Sequence, residues 1–325
     1  MIIAISILLL LIIGYLLVNV LYKQTNAYKN QFLPARKQLQ GVPYNLQFVN
    51  FGSTYTMYAF NSYDELQLNG FSFAMEAQSL EIDNVLLHKY ADHIQEGATV
   101  VFGLAACVAY YRYSMVNNKD LYYKLLNKSE IPSYSAKAAL KHRLPIMPKT
   151  WRRIKSLIKD ADERLDVVEN FPPTCSDSKA KTNMKSMADG WIKLFKLNNL
   201  KELTNRDANF DNQVFNADLL KSMIAYCKEH KWKPVFVITP FSSELNQYFD
   251  DAFVQSALYN LMEPSVKEYN VPIYDYRTHK CFQHDSASFM DGGFRMSKYG
   301  SRKFMRMLLS DIQEQTYTNE NLKKQ

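Results

Sequence analysis

Ala98-Thr-Val-Val-Phe-Gly-Leu104 is a continuous apolar run centred on Val100, Val101 and Phe102, and Lys233-Pro-Val-Phe-Val-Ile-Thr239 repeats the pattern downstream. A strand with helices over both faces has no polar side, so it reads as unbroken rather than alternating. Working outward, Asn45-Leu-Gln-Phe-Val-Asn-Phe51 reads as a strand stopped by Gly52-Ser53-Thr54. Gly70-Phe-Ser-Phe-Ala74 is a second short strand, and Val271-Pro-Ile-Tyr-Asp-Tyr276 is the last. Between them, apolar residues at helical spacing (Ile82, Val85, Leu86, Tyr90, Ile94) predict a helix over 80–94, and similar patterns predict helices over 217–230, 253–269 and 297–315. Strands alternating with helices over this length imply an α/β fold, a parallel sheet in three layers flanked by helices.

Residues 110–211 break the alternation. They are helical and charged, as in Trp151-Arg-Arg-Ile-Lys-Ser-Leu-Ile-Lys159, and carry a proline-rich joint at Phe171-Pro-Pro-Thr174. This is expected to be a helical insertion over the sheet rather than a second domain. The tail after Asp311 is polar and is expected to fray.

Residues 2–21 form an almost unbroken apolar run, interrupted by Ser6, Gly14, Tyr15 and Asn19. Twenty helical residues at ~1.5 Å each span roughly 30 Å, the thickness of a bilayer core. Tyr22 and Lys23 follow as interfacial anchors. A cleaved signal peptide needs a basic start, a shorter core and small residues at the cleavage site; this run has no basic start, its core is too long, and Asn19-Val-Leu-Tyr22 is a poor cleavage site. The organisation expected is a transmembrane anchor over 1–22, a juxtamembrane linker over 23–43 and the α/β domain over 44–325. Lys23, Lys29, Arg36 and Lys37 all follow the helix, which by the positive-inside rule leaves the domain in the cytoplasm.

Composition bounds the function. Hydrophobic residues make up 47% of the 325-residue chain, which excludes a disordered one. The net charge of +7 is spread along the sequence, without the dense stripe or motif of a nucleic-acid binder. The four cysteines (Cys107, Cys175, Cys227, Cys281) make no CxxC pair, against a structural zinc site. Glycines are too sparse for a phosphate-cradling loop and no histidine spacing suggests a metal, so no cofactor is expected.

Sites in parallel sheets form beyond the carboxyl ends of the strands. Three such ends stand out, at Phe51-Gly-Ser-Thr54, Ala74-Met-Glu-Ala-Gln-Ser79 and Thr239-Pro-Phe-Ser-Ser243, with a fourth segment at Phe289-Met-Asp-Gly-Gly-Phe-Arg-Met-Ser-Lys-Tyr-Gly300. Taken with Asn50-Phe-Gly-Ser-Thr-Tyr-Thr-Met-Tyr-Ala-Phe60, the 233–240 strand, Ile273-Tyr-Asp-Tyr276 and Met296-Ser297-Lys-Tyr-Gly300, this order resembles the SGNH/GDSL-type hydrolases. The similarity is to their membrane-anchored GSS-type branch, which includes proteins of teichoic-acid D-alanylation and alginate O-acetylation.

The resemblance implies a flavodoxin-like α/β domain outside the cytoplasm, working on a cell-surface glycopolymer or with an acyl-carrying partner in the membrane. It also implies nucleophilic catalysis: a hydroxyl at the end of the first strand, a histidine base from a late D-x-x-H segment, and backbone amides for the oxyanion. Carried over residue by residue, the serine nucleophile falls on Thr54, with Ser53 adjacent. The histidine falls on Arg295 and the aspartate on Gly292, with Asp291 one residue out of register. A guanidinium stays protonated, so Arg295 cannot act as the base. His279 and His284, the latter followed by Asp285, are the candidates for a relocated base. The catalytic set to be tested is therefore Ser53, Thr54, His284 and Asp291, with Gly52, Gln78 and Arg295 lining the pocket or oxyanion site. The reading expected is a catalytically degenerate, membrane-tethered binding or accessory protein; the alternative is an active serine or threonine esterase or O-acyltransferase.

Overall fold

The structure is a computed structural model that describes residues 2–25, 28, 39, 41–105, 107–116, 122–123, 125–147, 150–158, 176–201 and 206–322. Most of the expected linker over 23–43, the Phe171 joint and Cys175 lie outside the described residues. Five strands, β1 (Leu46–Phe51), β2 (Gly70–Ser72), β3 (Ile94–Leu104), β4 (Lys233–Ile238) and β5 (Ile273–Asp275), form one sheet in the order β2-β1-β3-β4-β5. Every neighbouring pair is parallel. The principal helices are α1 (Ile2–Gln24), α2 (Thr54–Ala59), α3 (Leu80–Lys89), α4 (Ala136–Arg143), α5 (Thr150–Ile158), α6 (Asp177–Phe195), α7 (Arg206–Glu229), α8 (Asn260–Tyr269) and α9 (Lys298–Leu322).

The register sorts the core into two faces. Phe48, Val101, Val235 and Val237 share one face and pack under Phe304, Met305 and Leu308 of α9, with Ala59 and Phe60 from the end of α2. Val49, Phe51, Val100, Phe102, Phe236 and Ile238 point the other way and are equally buried. Phe51 there stacks on Phe73 and Phe102 with ring centroids 5.0 and 5.9 Å apart. Burial on both faces is why the strands read as continuous apolar runs.

Several boundaries differ from the sequence reading. The helix predicted over 80–94 ends at Lys89, and Ile94 opens β3 four residues before the apolar run. The extra length is carried by an irregular stretch: the register shifts between Leu46 and Phe48 of β1, and Gly97 of β3 adopts φ +80°. A bulge of this kind needs a residue without Cβ strain at positive φ. The helix predicted from 217 begins at Arg206, inside the segment read as the insertion, and the final helix runs to Leu322 through the tail expected to fray. By compactness the chain forms two units, one of residues 1–41 with 117–171 and one of residues 42–116 with 172–325. The sheet and all the candidate site residues belong to the second unit.

Candidate functional site

The 2-1-3-4-5 order reverses direction between β1 and β3, and open α/β sheets bind ligands beyond the carboxyl ends of the strands at such a switch point. β1 ends there in Gly52-Ser53-Thr54 and β3 in Gly103-Leu104-Ala105. The two glycines are a steric requirement. A Cβ on Gly103 would lie 2.2 Å from the Thr56 hydroxyl oxygen, and one on Gly52 would lie 2.5 Å from the same atom and 2.7 Å from the Gly103 carbonyl oxygen. Gly52 also holds φ +140°. The first turn of α2 is thus wedged between the two strand ends.

Beneath this turn lies a buried carboxylate that the sequence reading passed over. Asp83 Oδ1 accepts the Gly52 N–H at 3.1 Å and the Gln78 side-chain amide at 2.5 Å, and the same amide donates to the Phe73 carbonyl at 3.0 Å. Burial pushes the Asp83 carboxyl up to about 7, with the Gln78 and Gly52 hydrogen bonds pulling against it. Gln78 is 1% exposed and Asp83 2% exposed, so both serve the scaffold of the turn rather than its open side. The Gly52 amide, placed by sequence in the oxyanion set, is committed inward to Asp83. In sequence Asp83 is one more acidic residue in the first turn of a helix, where it is favoured by the dipole alone. No local signal distinguishes it.

Above the turn, Ser53 precedes α2 in extended conformation, and its hydroxyl makes no capping hydrogen bond to the helix. Thr54 Oγ1 is occupied, accepting the Ala77 N–H at 3.2 Å. Ala77 is itself at φ +54°, and its carbonyl accepts from the Tyr111 hydroxyl at 3.3 Å, so the loop after β2 is tied to the loop after β3.

The segment 291–295 approaches from the connection between β5 and α9. Asp291 Oδ1 accepts three backbone amides, from Gly293 (3.1 Å), Phe294 (2.9 Å) and Arg295 (3.0 Å). Gly292, at the position where the resemblance implies an aspartate, sits at φ +97°. A side chain there is disfavoured by backbone sterics. The Gly292 carbonyl accepts the Ser242 hydroxyl at 2.8 Å, and a Cβ on Gly293 would overlap that hydroxyl at 2.1 Å. This tight loop puts Phe294 into an aromatic cluster with Tyr55, Trp191 and Phe241 at centroid distances of 5.6, 5.5 and 6.1 Å. It puts the Arg295 guanidinium 5.6 Å from the Tyr58 ring centroid. Burial raises the Tyr58 hydroxyl above its usual range; Arg295 opposes that rise, and Glu76 and Asp291 add to it. Tyr58, Glu76, Asp291 and Arg295 therefore share one electrostatic neighbourhood. The Arg295 guanidinium makes no hydrogen bond or ion pair with any described residue, and its Nε is buried without a partner.

The relocated-base candidates go elsewhere. His284 Nδ1 lies 3.2 Å from the hydroxyl of Ser243, beyond β4, not from Ser53 or Thr54. His279 Nδ1 accepts the Cys281 N–H at 3.3 Å and caps a one-turn helix. Asp285 turns away from His284: it accepts Lys303 at 2.7 Å and Ser288 at 2.8 Å, and Lys303 together with Ser288 holds its carboxyl below the usual range against burial. Ser53, Thr54 and Gly52 are thus brought together with Gln78, while Asp291 joins Arg295 in a separate loop. His284 pairs with Ser243.

No family model matches the chain, and no curated protein matches it. Among solved structures, a protein described as a candidate acylhydrolase from Bacteroides fragilis NCTC 9343 aligns over 88% of this chain and 97% of its own. The TM-score is 0.38 and the identity 11%, so nothing about activity follows from it.

Proposed function

We propose that the chain is a membrane-tethered, SGNH-like protein that binds an acidic group of a cell-surface polysaccharide or teichoic-acid-type polymer and does not cleave it. The observation that carries this reading is Arg295. It occupies the position where the resemblance implies the base, half-buried over Tyr58, and its guanidinium has no hydrogen-bonded partner among the described residues. A planar, permanently charged fork with open donors suits a phosphate or carboxylate, and a low local dielectric strengthens that contact. The loop at Gly292 also replaces the family's acid and base with a backbone turn, which supports binding over catalysis.

Titration of the full chain in detergent micelles with a glycerol-phosphate polymer tests it. Arg295→Ala is expected to weaken binding at least tenfold, which corresponds to about 1.4 kcal/mol. Unchanged affinity in that variant sinks the proposal. The envelope setting needs the α/β unit outside the cytoplasm, whereas the basic residues that follow α1 favour the inside. Digestion by protease added to intact cells is the outcome this reading requires.

A further inference from the structure

The first unit contains a surface that the site does not use. Along α1, residues 2–14 are exposed throughout. Then a single stripe is covered: Tyr15 and Val18 are half-buried, Asn19 is 2% exposed and Tyr22 4% exposed, while Leu16, Leu17, Val20 and Leu21 stay bare. Positions i, i+3, i+4 and i+7 are one face of a helix. The covering comes from the 146–157 region of the same unit. Tyr22, Tyr28 and Ile146 form a buried cluster, with Ile154 and Leu157 of α5 packed against it beside Tyr15 and Val18. Asn19 fixes the contact: its Oδ1 accepts the Ile146 N–H at 3.1 Å while its Nδ2 donates to the Tyr15 carbonyl at 2.9 Å.

Depth follows from the helix rise. Residues 2–14 cover roughly 20 Å, less than the ~30 Å of a bilayer core. The covered stripe therefore begins within the depth of the hydrocarbon and ends at the headgroups, and whatever packs on it lies at the membrane surface. α5 has the composition for that position. Ile154 and Leu157 face α1, and Trp151, one turn before Ile154, extends the apolar arc past what α1 covers and is 72% exposed. Lys155, exposed, borders Trp151, and Arg153 lies 5.8 Å from the Tyr22 ring centroid. Met147, just ahead of the helix, is 48% exposed. An amphipathic helix with an indole at its edge and basic residues beside it suits the boundary between headgroups and acyl chains. Lysine stems there lie along apolar surface while the ammonium reaches phosphate.

We propose that α5 is an interfacial helix that lies on the bilayer beside the anchor. Trp151 sits at the level of the acyl carbonyls and Lys155 meets the phosphates of anionic phospholipid. The proposal rests on the reading that α1 spans the membrane. Its consequence is a two-point attachment: the anchor holds the chain to the bilayer, and α5 holds the first unit flat against it.

The test uses the full chain reconstituted in vesicles of phosphatidylcholine with a minority of phosphatidylglycerol, carrying lipids brominated near the top of the acyl chain. Tryptophan emission is read from the wild type, Trp151→Phe and Trp191→Phe. Bromolipid quenching should be lost in Trp151→Phe and kept in Trp191→Phe, because Trp191 belongs to the other unit. Quenching that is equal in the wild type and Trp151→Phe overturns the proposal. Lys155→Gln and removal of phosphatidylglycerol should each weaken the Trp151 signal, and an unchanged signal in both overturns the anionic-headgroup contact. Flotation separates the two readings. Chain that floats with vesicles but leaves Trp151 unquenched removes this inference alone, whereas chain that does not float removes the anchor as well.

Discussion

The carboxyl ends of β1 and β4 each carry a serine, and they differ in what surrounds it. At β1, the backbone is pinned from below by Asp83 and from the side by Thr56, and the Ser53 hydroxyl stands over that turn without a base. At β4, Ser243 has an imidazole 3.2 Å away, but the carboxylate beside that imidazole is committed to Lys303 and Ser288. A hydroxyl, an imidazole and a carboxylate are all present at one end of one sheet. Nucleophilic catalysis needs them in sequence within hydrogen-bond reach; at β1 the hydroxyl lacks an imidazole, and at β4 the carboxylate next to the imidazole is held by Lys303 and Ser288. The fold supplies the positions; the loops decide whether chemistry assembles there.

The largest expected effect lies in the rigid β1 end. Gly52→Ala places a methyl against the Thr56 hydroxyl and the Gly103 carbonyl at a positive φ, and should cost about 3 kcal/mol or more of stability. Urea unfolding measures it; a loss below about 1 kcal/mol would mean that the turn yields.

Next is the buried carboxylate. Folding raises the Asp83 carboxyl from 3.8 to about 7. Between these values the folded chain holds a proton that the unfolded chain has released, so this group's contribution makes stability fall as pH rises through that window, with the deficit complete above about 7. Asp83→Asn keeps an acceptor for the Gly52 and Gln78 donors without a charge. The variant should lose that part of the fall, so its stability relative to wild type is higher at about pH 7.5 than at about pH 4.5. Parallel urea midpoints for the two proteins would contradict the assignment.

A third prediction addresses the comparison itself. Treatment of the full chain with a fluorophosphonate, read by mass spectrometry, should leave Ser53 and Thr54 unlabelled. Label on Ser53 would break the contrast by showing a base that the geometry does not supply. Label on Ser243, abolished by His284→Gln, would sharpen it by locating reactivity at β4. The smallest expected effect is that of the Arg112–Glu81 ion pair, 3.1 Å apart and partly exposed, which tethers the loop after β3 to α3. Glu81→Gln should cost about 1 kcal/mol or less, since solvent screens the pair; thermal unfolding reads it.

Much of this architecture is written locally. The apolar runs at 98–104 and 233–239 declare strands buried on both faces, and the 20 residues after Met1 declare a helix long and apolar enough to span a membrane, because both signals are patterns of neighbouring side chains. The strand end at Gly52-Ser53-Thr54 and the segment 291–295 before the last helix were equally visible as irregularities. What local pattern does not carry is contact across sequence. Asp83 lies 31 residues from the amide that it holds, and His284 lies 41 from Ser243. Asn19 reads as a blemish in an apolar helix until folding brings it the Ile146 amide across 127 residues. The sequence by itself determined the strands, the sheet class and the candidate anchor, since hydrophobic period follows from which faces are buried. The tertiary structure alone decided which polar groups meet, because hydrogen bonds at about 3 Å depend on loop closures that no local periodicity encodes.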